Sequence, residues 1–142
     1  MPAPSYDPRY LAGILLFNRR DFFEAHEVWE NLWLSADVGE DRRFVQGLIQ
    51  AAVCLHHFRN GNLRGALKLY KSGRAYMERY SSPHLGLDIT VFWQGMESCL
   101  AGLLAIPEPT TREVLQPELI PTIEIQPLPE AWPDPQQFLE EE

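Results

Sequence analysis

The sequence lacks several features that mark common classes of protein. Its 142 residues contain only two cysteines, and both lie in apolar helical patterns, where a free thiol acts as a small hydrophobic side chain. A disulfide framework is therefore not expected, and a cytoplasmic location is expected. The longest apolar runs, residues 11–17 and 99–106, fall well short of the roughly 20 residues that span a bilayer. We therefore expect no membrane anchor.

The chain also lacks an excess of positive charge. It has 12 Lys and Arg against 20 Asp and Glu, a net charge of −8, which argues against a general nucleic-acid-binding function. Residues 1–105 contain 11 acidic and 11 basic side chains, whereas residues 106–142 contain nine acidic residues, one basic residue and eight of the 12 prolines. The sequence therefore predicts a neutral domain at 1–105 and an acidic, proline-rich tail at 106–142. We expect apolar tail residues to pack partly on the domain.

Helical periodicity dominates the domain and predicts an all-α fold. Asp21 and Glu24 form a candidate capping box for the second helix, and Asn62 is the expected N-cap of the fourth. The predicted helices cover approximately residues 8–18, 22–34, 41–59, 63–80 and 88–105.

A weak internal repeat at an offset of 41 residues aligns the segment 17–29 with 58–70, each spanning a polar turn between two helices. Two copies are too few for a solenoid. We therefore expect a compact bundle of two helical hairpins plus a fifth helix, loosely similar to tetratricopeptide units, with an extended C-terminal tail.

Two polar side chains stand out on the second helix. His26 and Glu30 are one turn apart and fall between Trp33 and Phe23 on the helical wheel, so we expect apolar neighbours to enclose them. Glu27 lies at the edge of the apolar face. A buried carboxylate is costly unless it is paired, hydrogen-bonded or bound to a metal, which makes Glu30 a candidate functional residue.

The third helix is apolar almost all round, apart from one polar stripe. Gln46, Gln50 and His57 form this stripe, and a buried polar stripe needs polar partners on another helix. We expect those partners to be His26 and Glu30.

Two interpretations of this predicted cluster remain open. In the first, His26, Glu30 and His57 bind a divalent metal, with Glu27 or Glu97 as a further ligand or base. The pattern differs from the H-E-x-x-H zinc motif, because Glu30 occupies the second histidine position. In the second, the same side chains form a structural hydrogen-bond network with Gln46, Gln50 and Arg74, which lies where it could reach an inward carboxylate.

The fourth helix is amphipathic and carries a basic outer face. Its outward side chains include Arg64, Lys68, Lys71 and Arg79. This face is either a solvated surface or a docking surface for an acidic segment, such as the protein's own tail. His84 follows Pro83 in a turn, where we expect it to be exposed.

Several motifs together resemble a known family. They are FNRRDFFEAHEVWENLW at residues 17–33, FVQGLIQAA at 44–52, His56-His57, Gly61-Asn62 and Gly65-Ala66. This ordered set is similar to the signature of the domain of unknown function 309 family and spans about residues 9–80. The resemblance implies an all-helical bundle, sometimes described as a predicted metal-dependent hydrolase. It marks His26, Glu27, Glu30, Trp33, Gln46, Gly47, Gln50 and His57 in this chain.

Two functions therefore follow as hypotheses. The first is a metal-dependent hydrolase in which Glu27 or Glu30 acts as general base on a metal-bound water. The second is a non-enzymatic helical scaffold that binds a partner through a groove or the basic fourth helix. The sequence leaves open the substrate, the partner and whether the chain forms a homo-oligomer.

Overall fold

A computed structural model describes residues 5–105 and 113–139 of the chain. The beginning of the predicted tail, at residues 106–112, and its end, at 140–142, lie outside the described residues. Six α-helices and three short 3₁₀ helices occur in the described part, which confirms the all-α prediction. The α-helices are α1 (Pro8–Asn18), α2 (Phe22–Leu34), α3 (Arg42–Arg59), α4 (Leu63–Met77), α5 (Ile89–Cys99) and α6 (Ala101–Leu104).

Local sequence signals explain where most of these helices begin. Pro8 is the first residue of α1. The preceding residue, Asp7, is the N-cap, and its side chain accepts a hydrogen bond from the Arg9 amide. The Asn62 side chain caps α4 through the Gly65 amide. The predicted capping box at the start of α2 is wrong, because the side chain of Asp21 makes no capping hydrogen bond.

Two predicted elements differ from the structure. The fourth helix ends at Met77 rather than near Tyr80, and the fifth is interrupted at Leu100, which separates α5 from α6. The turn before α3 contains a 3₁₀ helix at Ala36–Asp41. These differences lie at helix ends and turns, where local hydrogen bonding is least regular.

The central helix of the bundle is α3, which packs against α2 on one side and α4 on the other, while α1 packs against α2. Large aromatic side chains fill the core between α1, α2 and α5. Phe17 packs edge-on against Phe22 at 5.3 Å and lies 6.0 Å from Phe92, measured between ring centroids. The fully buried Trp29 donates its indole N–H to the Tyr10 carbonyl at 3.1 Å. This core leaves Phe23, Glu27 and Glu30 on the outer face of α2 exposed.

The described part of the tail crosses the body as an extended segment rather than following α4. Ile120, Ile123 and Ile125 are buried, and Ile125 forms an isolated antiparallel bridge with Leu87. The 3₁₀ helix Pro135–Phe138 then packs against α1. None of the described helices is long and apolar enough to cross a membrane.

Candidate functional site

The outer face of α2 contains a surface cavity of about 320 Å³. Three of its lining side chains, His26, Glu27 and Glu30, are residues that the sequence singled out. Two apolar side chains of the wall are unusually exposed: Phe23 at 46% and Leu34 at 64%. The remaining lining residues are Asn31 and, from the tail, Phe138.

An ion pair forms the polar floor of this cavity. The Nε2 atom of His26 lies 3.0 Å from the Oε2 atom of Glu30, one helical turn away. The Nδ1 atom of His26 lies 3.1 Å from the carbonyl oxygen of Phe23. Both ring nitrogens of His26 therefore face oxygen atoms, which fixes the orientation of the ring.

The aromatic wall of the cavity includes a second histidine. The ring centroid of Phe23 lies 5.3 Å from that of His26 and 5.5 Å from that of His56 on α3. Burial lowers the pKa of His56 below its ordinary value, and the positive charge of Arg59 lowers it further. His56 therefore favours its neutral form beside this site.

The prediction that apolar side chains enclose Glu30 is wrong. The Glu30 side chain is 48% exposed and that of His26 is 21% exposed. The expected enclosure needed Phe23 to face the core, but Phe23 faces solvent. Among the described residues no polar or charged residue is fully buried, so the predicted buried polar network is also wrong.

The polar stripe of α3 faces α4 and not α2. The Ser72 hydroxyl on α4 donates a hydrogen bond to the side-chain oxygen of Gln50. His57 contacts the cap residue Asn62, with 3.3 Å between His57 Nδ1 and Asn62 Nδ2. Gln46, on the same stripe, is half-buried. The expected pairing of this stripe with His26 and Glu30 therefore does not occur.

These positions do not fit the metal site that the sequence suggested. A catalytic zinc site uses three protein ligands about 2.0–2.2 Å from one point. His26 and Glu30 lie together, but His57 points to the start of α4. In residues 5–105 and 113–139 no group of three His, Cys, Asp or Glu side chains is arranged to hold a metal ion.

The basic face of α4 lies elsewhere on the surface. Arg64, Lys68, Lys71 and Arg79 are exposed, in agreement with the amphipathic pattern. Arg74 donates to the Tyr70 hydroxyl at 2.6 Å and lies 3.8 Å from the Glu97 carboxylate. Arg74 thus does reach a carboxylate, although Glu97 is exposed rather than inward.

The sequence did not reveal the environment of His84. Rather than being exposed, this side chain is half-buried between Phe44 and Tyr80, at centroid distances of 4.7 and 4.6 Å. Its Nε2 atom lies 2.7 Å from Oδ1 of Asp41. No local signal could have shown this pair, because 43 residues separate its members.

Neither cysteine is suited to nucleophilic chemistry. Cys54 and Cys99 are both free and buried, as the sequence predicted. Burial raises the pKa of Cys99 to about 11, and burial raises that of Cys54 as well. The reactive thiolate is therefore scarce at neutral pH.

The fold and the cavity define a small all-α bundle with a mixed polar and apolar site on one outer helix. Residues 10–69 match the model of the family described as Domain of unknown function (DUF309), which confirms the resemblance seen in the sequence. This matched segment contains α2, α3 and every residue that lines the α2 cavity except Phe138.

Relatives of the chain are themselves uncharacterised. The chain is 34% identical over 86 residues to Uncharacterized protein YpuF of Bacillus subtilis, covering 58% of this chain and 49% of the relative. It is 30% identical over 73 residues to an uncharacterized protein of Aquifex aeolicus, covering 51% of this chain and 22% of that protein. The alignments thus span half or less of each relative. No solved structure gives a significant match.

Proposed function

We propose that this protein is a non-enzymatic helical interaction module that binds a basic, partly apolar segment of a partner at the cavity on α2. The observation that carries the proposal is the composition of the cavity wall. Glu27 and Glu30 supply two carboxylates, and the Glu30 carboxylate lies against the His26 ring. Phe23 and Leu34 add exposed apolar surface on either side.

The chemistry of this wall favours one kind of ligand. A Lys or Arg side chain can pair with the carboxylates, and its neighbouring apolar groups can cover Phe23 and Leu34. Exposed apolar surface next to charged groups is typical of protein-binding sites. An acidic ligand would instead meet repulsion from two carboxylates.

Titration of isotope-labelled protein with an acetylated Arg-Leu-Arg-Leu peptide tests this proposal. We expect a saturable curve and amide shifts limited to residues 23–34 and to the neighbouring His56 and Phe138. The substitutions Glu27→Gln and Glu30→Gln should each weaken binding at least threefold, because each removes a charge that contacts the peptide. The acidic peptide Glu-Leu-Glu-Leu should not bind.

Glu24→Gln is the matched control, since it makes the same change on the same helix outside the cavity lining. If Glu24→Gln weakens binding as much as Glu27→Gln, only general charge attraction is present and the proposal fails. Absence of any binding would also contradict it.

A metal-dependent hydrolase is the second candidate function. The observation in its favour is that His26, Glu27 and Glu30 line one cavity. It requires a further ligand that the described side chains do not bring to this place. Metal analysis of the wild-type and Glu30→Gln proteins used above separates the two candidates: stoichiometric metal that is lost in Glu30→Gln would favour the hydrolase.

A further inference from the structure

The tail crosses the body on a surface separate from the lining of the α2 cavity. We call it the tail groove: the surface formed by the end of α1, by α5 and by residues 84–87. The tail segment 120–127 occupies it as an extended strand. The hydrogen bonds between the body and this segment that are named below all involve main-chain atoms of the segment.

Asn18, the last residue of α1, clamps the tail as a neighbouring β-strand would. Its Nδ2 atom donates to the Ile123 carbonyl at 2.9 Å, and its Oδ1 atom accepts from the Ile123 amide at 2.8 Å. One side-chain amide thus satisfies both main-chain groups of a single tail residue. Such pairing recognises an extended backbone whatever its side chains are.

Arg20 provides a second clamp from a strained position. Its guanidinium donates to the carbonyls of Ile120 and Pro121, both at 3.3 Å. Its φ angle is +70°, in the left-handed region that glycine normally occupies after a helix. A non-glycine residue is strained there, and such strain is typical of functional positions. Arg59 holds the Arg20 carbonyl at 2.8 Å.

The far end of the segment is held in the same manner. The Gln126 amide donates to the Gly86 carbonyl at 2.9 Å, and the Tyr6 hydroxyl donates to the Pro127 carbonyl at 2.6 Å. The tail passes so close to Gly95 that an added Cβ atom there would lie 2.9 Å from Cβ of Pro121. The glycine on α5 therefore leaves room for the tail.

Side-chain pockets supply the specificity of the groove. Ile123 and Ile125 are 3% and 0% exposed, and Ile120 is 7% exposed. Thr122 and Glu124, which alternate with them, are exposed. Main-chain pairing combined with alternating apolar pockets is how peptide-binding domains recognise an extended ligand.

We propose that the tail groove is a peptide-binding site for extended Ile-Pro-x-Ile-x-Ile segments, and that the tail of a second copy of this chain can replace the chain's own. The replacement creates a swapped dimer with the contacts described above and needs no new ones. The covalently attached tail competes at an effective concentration in the millimolar range, so the wild-type chain favours the internal arrangement at low concentration. A swapped tail would also bring the second copy's Phe138 to the α2 cavity.

A complementation experiment with two full-length variants tests the swap. The first carries Ile123→Asp and Ile125→Asp, which disable its tail and leave its groove intact. The second carries Asn18→Ala, Arg20→Gly and Gly95→Leu, which disable its groove and leave its tail intact. We expect each to be monomeric alone, and the mixture to form a 1:1 heterodimer by native mass spectrometry and light scattering.

Control proteins define the result that overturns the proposal. A variant with Thr122→Asp changes only the solvent face of the tail, so its groove stays filled and it should form no heterodimer with the second variant. Folded variants, as judged by circular dichroism, that give no heterodimer when mixed would overturn the swap.

A peptide experiment covers the case in which the double-Asp variant fails to fold. A labelled peptide of residues 117–128 should bind the full-length Ile123→Ala protein at least tenfold more tightly than the wild type, because a weakened tail competes less. Addition of Asn18→Ala and Arg20→Gly should abolish that binding. Equal affinity for all three proteins would overturn the groove as a peptide site, and peptide binding by well-folded variants that form no dimer would overturn the second copy as its occupant.

Discussion

At the scale of single residues, exposure to solvent limits how much the His26–Glu30 contact can stabilise the fold. Their contact at 3.0 Å is close, but water reaches both side chains. Surface ion pairs contribute little to stability because solvent screens the charges. The pair therefore has no strong role in holding the bundle together, which leaves the residues available for binding.

We predict that Glu30→Gln lowers the free energy of unfolding by less than about 1 kcal/mol, as for other exposed ion pairs. Urea denaturation of the two proteins, followed by circular dichroism, measures the difference. Removal of one member of a buried ion pair would instead lower the free energy of unfolding by about 3–5 kcal/mol. A loss of that size would show that the pair is a structural element and would count against α2 as a binding face.

At the scale of elements, two helix N-termini show that a capping residue in the sequence does not always form a capping hydrogen bond. Asn62 accepts a hydrogen bond from the Gly65 amide at 3.0 Å, whereas the Asp21 side chain caps nothing. Both residues looked like N-caps in the sequence. Backbone conformation does not account for the difference, because Asn62 also follows a left-handed residue, Gly61, and its φ and ψ angles of −86° and 80° are close to the −91° and 69° of Asp21.

We predict that Asn62→Ala destabilises the protein by about 1 kcal/mol, the usual value of an N-cap side chain. Asp21→Ala should change the free energy of unfolding by less than about 0.5 kcal/mol, as expected of a surface substitution. Urea denaturation measures both. Equal losses would contradict the assignment of a capping role to Asn62 alone.

The whole molecule should lose stability in two steps as the pH falls. The folded pKa of His56 lies below its model-peptide value of 6.5, so below pH 6.5 the unfolded chain takes up a proton that the folded chain resists. Partial burial pushes the pKa of Asp7 upward, but the hydrogen bonds and charge of Arg9 outweigh it and bring it below 3.8. The stability that Asp7 provides is therefore present above pH 3.8 and is lost as the pH falls through its folded pKa.

We predict that thermal denaturation midpoints fall just below pH 6.5 and again below pH 3.8, since each window begins at an unfolded-state pKa. His56→Gln should flatten the first step and leave the second. Asp7→Asn retains a good N-cap side chain but removes the carboxylate, so it should flatten only the second. Unchanged profiles in both variants would contradict these assignments.

Sequence reasoning succeeded where the physical cause is local. The helices α1 to α4 could be located from apolar periodicity, Pro8 and Asn62, because a helix forms through hydrogen bonds between residues four apart. The basic face of α4 followed from the same periodicity. The family signature likewise picked out His26, Glu27 and Glu30, which do share one cavity.

The candidate site was harder to predict because its environment depends on neighbouring elements. Periodicity gives the angular position of a side chain on its helix, but not which neighbour lies there. Gln50 was expected opposite α2, and it bonds to Ser72 of α4. Phe23 was expected to enclose Glu30, yet its ring lines a surface cavity and is 46% exposed.

The sequence by itself determined the helical class, most helix boundaries, the free cysteines and the concentration of negative charge in the tail. Only the tertiary structure decided that the His26–Glu30 pair faces solvent and that the tail is held by Asn18. The physical reason is distance along the chain: Asn18 and Ile123 are 105 residues apart, and the tail is recognised through main-chain atoms. Main-chain atoms are the same in every residue, so no sequence pattern marks that contact.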